Sequence, residues 1–332
     1  MVFSCRDLIK KGGGDRRLMA KKFKKLRHNL AYILVLIVVF VSKKIPRFLG
    51  LRIFGLFGYL FGFALKKERN IARKNLKKVF TDYDDKKINS ILNGVFINAG
   101  KSTFDSIKLP EYSKEKFLKI VRFNDENLAR ETFNNPNGTV GLCTHLSAFE
   151  LQSQALAKYG YKAMSIGTRL FDENVYKIFI KLRKRNGVEY FDRDGGIKNA
   201  FRYLKKGFVF GILVDQDATD EGVFVNFLGA EAWTPFVPVK IAIRMEIPLI
   251  WAFLVREKGD KYVLNFEKTE VVQGETEMET YILNLEKFSE RFGEYVKKYP
   301  EQWVWIHDRW KRKPQDYPPE LSISHYKKGE GK

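Results

Sequence analysis

The stretch Gly138-Thr-Val-Gly-Leu-Cys-Thr-His-Leu-Ser-Ala-Phe-Glu150 decides how the rest of the chain is read. Thr139 to Cys143 is a short apolar run bounded by Gly138 and by the polar pair Thr144-His145, the pattern of a strand covered on both faces. Ser147, with Glu150 three residues later, has the form of a capping box and predicts a helix over 147–159, closed by Gly160. His145 then stands at the C-terminal end of a strand, where open α/β sheets place their ligands. Glu150 has two readings. It is a capping carboxylate, or it reaches back from the first turn to the imidazole. In the second case it fixes the tautomer and offsets the charge formed when the other ring nitrogen takes a proton. His145 is correspondingly a loop histidine with a backbone partner, or a base. A metal is not expected, because catalytic zinc takes three protein ligands and only two candidates lie here.

Downstream of this stretch, strand and helix patterns alternate. Strands are predicted over 162–166, 188–191, 208–214 and 248–255, with 262–266 alternating as an edge strand does. Asp172 has the position of a helix cap, Ile197, Ala200, Phe201 and Leu204 recur at helical spacing, and helices are expected over 237–244 and 277–298. The block Asn226 to Pro235 reads as a loop, with Thr234 ahead of a helix. The expected class is α/β: a central, largely parallel or mixed sheet flanked by helices. Upstream, 66–78 is an amphipathic basic helix and 87–101 a second helix. Together these give one domain over 66–320, followed by a polar tail over 321–332.

The first 65 residues differ in kind. Residues 1–28 form a basic, glycine-bearing arm. Leu30 to Val41 is uninterruptedly apolar, too short alone for the roughly 20 residues of a spanning helix. No small-residue cleavage site follows it, so a signal peptide is not indicated. A second apolar block, Phe48 to Leu65, carries a single charge, Arg52. Residues 29–65 are therefore expected to form a membrane anchor or interfacial hairpin with flanking basic residues at the headgroups. The alternative is an unusually apolar helix pair packed on the core. The chain of 332 residues carries 60 Lys+Arg against 39 Asp+Glu, a net charge of +21, which calls for an anionic partner. Nucleic acid would require exposed aromatics interleaved with the basic residues, and the apolar 30–65 region argues for lipid instead. Only Cys5 and Cys143 occur, so no disulfide framework is expected.

Further polar clusters fall after predicted strands: Gly167-Thr168-Arg169, Asp215-Gln216-Asp217, and the Phe227 to Pro235 block. A last one, Gln302-Trp-Val-Trp-Ile-His-Asp-Arg-Trp-Lys311, mixes aromatics with basic residues. Trp303, Trp305 and Trp310 taken singly read as core anchors. In order and spacing, His145 with Glu150 (an H-x4-E pair), Arg169, Asp215-Gln216, the block ending in Thr234-Pro235, and the Trp-rich stretch with Arg309 resemble the late acyltransferases of lipid A biosynthesis. That family is a branch of the wider glycerolipid acyltransferase-like group. The resemblance covers roughly residues 30–314. Ser147-Ala148-Phe149 and Leu170 depart from the commoner family pattern.

The resemblance implies an O-acyltransferase that moves a fatty acyl chain from a thioester to a glycolipid hydroxyl, most of all on a lipid A precursor. It implies no cofactor, the donor being acyl carrier protein or coenzyme A thioester. It places the enzyme at the inner membrane with its catalytic domain on the cytoplasmic side, as a monomer. His145 would be the general base and Glu150 its orienter. Arg169, Asp215, Gln216, Thr234 and Arg309 would bind substrate. Arg169 suits a sugar phosphate or the donor's phosphopantetheine, and either Arg169 or helix-start amides suit the oxyanion. Cys143, inside the strand, is expected to be inert. Phe149 is a core residue, or it lines the acyl groove that should open near His145. A non-catalytic lipid-binding relative is the alternative.

Overall fold

A computed structural model describes residues 28–170 and 172–327, apart from the side chain of Asp194. The basic arm up to Arg27, with Cys5, lies outside the described residues.

The described residues open with two helices, α1 over 28–44 and α2, Arg47–Ala64. α3, Lys66–Val79, α4, Asp85–Lys108, and α5, Lys114–Leu118, follow. The α/β part then runs β1 Val121–Phe123, α6 Glu126–Phe133, β2 Thr139–Cys143, α7 Leu151–Tyr159, β3 Ala163–Gly167, α8 Glu173–Arg183, β4 Glu189–Asp192, α9 Arg193–Leu204 and β5 Val209–Leu213. β6 Val223–Phe227, β7 Ala230–Thr234, α10 Val237–Met245, β8 Leu249–Arg256, β9 Tyr262–Thr269, α11 Glu277–Lys298 and α12 Ile323–Lys327 complete it.

Seven strands form one sheet in the order β1-β9-β8-β2-β5-β3-β4, parallel throughout except for the β8/β9 pair. β2 is central, and every one of its residues is buried, as its unbroken apolar run requires. Two apolar layers cover the sheet. Val140, Leu142 and Phe210 face the layer with α10, α11 and the tryptophans; Cys143, Val209 and Ile250 face the layer with α7.

Several sequence expectations shift. β9 is not an edge strand, because β1 pairs with it. The block 226–235 is largely a β6/β7 hairpin, turned by Leu228 and Gly229 at positive φ. Within the segment expected as a polar tail, Ile323 is buried and Ser322 Oγ donates to Glu231. The helix predicted from 147 starts at Leu151. Ser147 sits in the left-handed region at φ 53°, so no capping box forms and the span 144–150 is a turn.

α2 is the only helix among the described residues long and apolar enough to cross a membrane, with a mean hydropathy of 1.3. Its buried face is made of Gly50, Leu51, Gly55 and Gly62. A Cβ on Gly58 would lie 2.2 Å from the Phe96 carbonyl oxygen of α4, and one on Gly100 of α4 would lie 2.0 Å from that of Phe54. The two backbones therefore touch, which only glycine permits. At the start of α2, Arg47 forms paired hydrogen bonds of 2.8 Å to the buried Asp105 of α4. The opposite face, with Leu56, Phe57, Leu60 and Phe61, is exposed, as are Leu34, Ile37 and Phe40 of α1.

Candidate functional site

Parallel pairing of β2 and β5 matches Cys143 with Leu213. Two residues beyond that matched pair come His145 and Asp215, side by side at the C-terminal edge of the sheet. His145 Nδ1 lies 2.7 Å from Asp215 Oδ1, and the His145 amide donates to Asp215 Oδ2 at 2.9 Å. Trp303 Nε1 donates to the same Oδ2 at 2.8 Å. The carboxylate is 2% exposed and fully partnered. Burial by itself would raise its pKa, but the His145 charge, the ring hydrogen bond, the Trp303 indole and the His145 amide outweigh burial and hold it below the usual carboxylate range. An ionised Asp215 fixes the proton of a neutral imidazole on Nδ1, leaving Nε2 as the acceptor.

The turn after His145 is pinned by the same C-terminal segment that supplies Trp303. Leu146 forms a bridge with Trp303, and the Ser147 amide donates to Gln302 O at 2.7 Å. That amide is therefore taken and does not serve an oxyanion. The Gln302 side chain is itself clamped between the Arg256 amide and carbonyl at the end of β8.

Glu150 does not meet the ring. Its two oxygens bind Arg183 of α8, at 3.0 Å to Nε and 2.5 Å to one terminal nitrogen. Arg183 also donates to Tyr190 Oη at 3.0 Å. Desolvation would lower the Arg183 pKa, but the Glu150 hydrogen bonds and charge more than compensate. The expected Glu150–His145 contact is replaced by Asp215, because Ser147's left-handed turn carries the chain away before the helix begins. Phe149 does stay close: its ring packs edge-on to His145, with centroids 4.7 Å apart.

Under α7 lies a largely apolar cleft with an internal volume of about 90 Å³. It crosses the strands transversely, from Ile166 on β3 to Phe266 on β9, and Phe149, Glu150 and Arg183 stand in its wall. The floor is low where Gly141, Gly211 and Ala252 carry little or no side chain. A Cβ on Gly141 would make only ordinary contacts, 3.5 Å from Ile250, so the groove has room there. Cys143 also lines it, and burial raises its thiol to about 12, which keeps it protonated and inert.

The other expected site residues separate into two groups. Arg169, in the loop after β3, is exposed and paired with Glu173 at 2.6 Å. Gln216 is half-buried beside Asp215. Thr234 and Arg309 are buried together: Arg309 donates to Thr234 Oγ1 at 2.6 Å and to the Trp233 carbonyl. They join β7 to the C-terminal segment beneath the site and do not face the cleft. Burial lowers the Arg309 pKa to about 10 against the pull of Asp215 and Asp217. Arg183, Tyr190 and the Trp303 hydrogen bond were missed by sequence reading; the only signal was Arg183 in the last turn of a helix whose other residues look unremarkable.

Residues 19–312 match the family described as bacterial lipid A biosynthesis acyltransferase. Over 245 residues the chain is 23% identical to lipid A biosynthesis acyltransferase 2 of Shigella flexneri, covering 73% of this chain and 77% of that protein. It is 24% identical over 151 residues to a phosphatidylinositol mannoside acyltransferase of Mycolicibacterium smegmatis, covering 44% and 48% of the two chains. A phosphatidylinositol mannoside acyltransferase of Mycobacterium tuberculosis is 22% identical over 187 residues, covering 52% and 54%.

Proposed function

Since the chain belongs to the bacterial lipid A biosynthesis acyltransferase family and is an acyltransferase, we propose that it moves a fatty acyl group from a thioester to a hydroxyl of a membrane glycolipid, with His145 as base. The observation that carries this reading is the His145–Asp215 pair at 2.7 Å, with Phe149 packed on the ring and lining an apolar cleft. Nε2 takes the proton of the acceptor hydroxyl as its oxygen attacks the thioester carbonyl. Asp215 orients the ring and offsets the imidazolium. When the tetrahedral intermediate collapses, the C–S bond breaks and the proton returns to the leaving thiolate. No enzyme nucleophile is required, which suits a neutral Cys143. Glu150 then belongs to the cleft wall with Arg183 and does not act on the ring.

The cleft suits the acyl chain. From β3 to β9 it crosses four strand spacings of about 4.8 Å, on the order of 19 Å in all. Each methylene buried there contributes about 0.8 kcal/mol. Phe149, between the ring and the cleft, lines the chain's entry. The exposed apolar faces of α1 and α2 support association with the inner membrane, the catalytic edge on the cytoplasmic side. The basic surplus suits an acidic carrier protein as donor, although coenzyme A phosphates answer to the same charge. A lipid A precursor is the acceptor this reading favours.

The test is mass spectrometry of host lipids after expression of the wild type and of His145→Ala. A new acyl chain is expected only with the wild type, since losing a general base costs about a hundredfold to ten-thousandfold. In the same assay Phe149→Ala should change the chain length transferred. Equal acylation by wild type and His145→Ala would refute the mechanism.

A further inference from the structure

Around Trp310 of the C-terminal segment gather three lysines, two from α3 and one from the segment itself, that make no ion pair among the described residues. Trp310 is buried. Lys78 of α3 lies with its Nζ 4.8 Å from the centroid of that indole, and Lys313 Nζ bonds the Trp310 carbonyl oxygen at 2.8 Å. Lys74 precedes Lys78 by one turn on the same face of α3. All three lysines are exposed, and among the described residues none makes an ion pair within 4 Å. Their neighbours on α3 behave otherwise: Lys77 is paired with Asp85 at 2.6 Å. Burial, with the Lys313 and Lys74 charges next, lowers the Lys78 pKa, and Asp308 only partly counters this. Like charges gathered on one aromatic platform cost free energy unless an anion joins them.

The platform is rigid and tied to the catalytic pair. Asn75 of α3 donates to the Trp305 and His307 carbonyl oxygens at 2.9 and 2.8 Å. His307 Nε2 accepts from the Asp217 amide, two residues beyond Asp215. Towards the other side, α3 starts one residue after the apolar α2. The lysines thus lie between a helix with an exposed apolar face and the edge that carries His145.

We propose that Lys74, Lys78 and Lys313 form a subsite for a phosphate group on the headgroup of the lipid acceptor. Lysine suits this ligand as a compact point charge, with no need for the paired geometry that arginine brings to carboxylates. The subsite would hold the headgroup so that its free hydroxyl meets Nε2 of His145. It rests on the acyltransferase reading for its purpose, but its binding can be measured separately.

The experiment uses the full chain with phosphatidylcholine vesicles carrying one disaccharide lipid, with or without its phosphate. Wild-type protein should co-sediment preferentially with the phosphorylated lipid, and Lys78→Ala with Lys313→Ala should lose that preference. Lys77→Ala should keep it. In turnover the double variant should raise the KM for the phosphorylated acceptor about tenfold, with kcat and the donor KM unchanged, and should leave the dephosphorylated acceptor unaffected. A wild type with no preference for the phosphorylated lipid overturns the subsite. So does a double variant that loses equal binding to vesicles of phosphatidylglycerol and to both glycolipids, which marks a general membrane contact. If the wild type shows the preference but transfers no acyl group, the subsite stands and the acyltransferase reading falls.

Discussion

Two carboxylates compete for the role of partner to His145, and the fold treats them oppositely. Glu150 is near in sequence, sits in the wall of the cleft, and has both oxygens taken by Arg183. Asp215 is distant in sequence, buried, and bonded to the histidine through ring and backbone alike. The difference lies in what brings each one near. Spacing along the chain governs Glu150, and a single residue in the left-handed region, Ser147, redirects it. Strand register governs Asp215: once Cys143 pairs with Leu213, the next residues of both strands have little choice. Register across a buried parallel sheet is the stiffer constraint, since a slip would turn the apolar faces of β2 and β5 the wrong way.

The largest expected effect separates the two directly. Asp215→Asn should lower kcat by about a hundredfold to ten-thousandfold, because it removes the charge that offsets the imidazolium and the acceptor that fixes its tautomer. The same variant reports on pH. The folded pKa of Asp215 is depressed, so its contribution to stability is present above the unfolded carboxylate value near 4 and is lost as pH falls through the folded value. Melting curves of wild type and variant should therefore show a gap above about pH 4 that closes as pH falls below it. A gap unchanged in strong acid would mean that Asp215 is not ionised in the fold.

A smaller effect is expected from Trp303→Phe, which keeps the ring and removes one hydrogen bond to Oδ2. A hydrogen bond to a charged group of this kind corresponds to about a tenfold loss in kcat, with acceptor and donor KM preserved. Loss of affinity without loss of kcat would assign Trp303 to packing among its aromatic neighbours instead.

Glu150→Gln should have the smallest effect on the chemistry. Glutamine retains the shape and part of the bonding to Arg183, so kcat within a few-fold of wild type is expected, with any change falling on donor chain length. A loss as deep as that of Asp215→Asn would return the orienting role to Glu150.

The fold was readable where apolar periodicity is strong. The run in β2 and the full extent of α11 follow from pattern alone, as does the α/β alternation between them. The site was readable in its members more than in its pairings. His145 and Asp215 both stand after apolar strands, yet nothing in a single chain says that those strands are neighbours. Arg309 and Thr234 were expected at the substrate from the family resemblance alone. Their burial together comes from packing of β7 against the C-terminal segment, which leaves no periodic trace. The hairpin at 223–234 was hidden for another reason: its turn uses Leu228 at positive φ, where a sequence reader expects glycine or asparagine.

The crossing of α2 over α4 at Gly58 and Gly100 fixes an angle as well as a contact. With carbonyl against α-carbon on both sides, and Arg47 locked to Asp105 at one end, the apolar helix has no freedom to swing on its own. If α2 lies in a lipid layer, as proposed above, then whatever depth and tilt it takes there, the whole sheet takes with it. The height of His145 above that layer is then a dimension of the protein, like the draught of a hull. On that reading, a lipid hydroxyl that reacts is one that stands at that height.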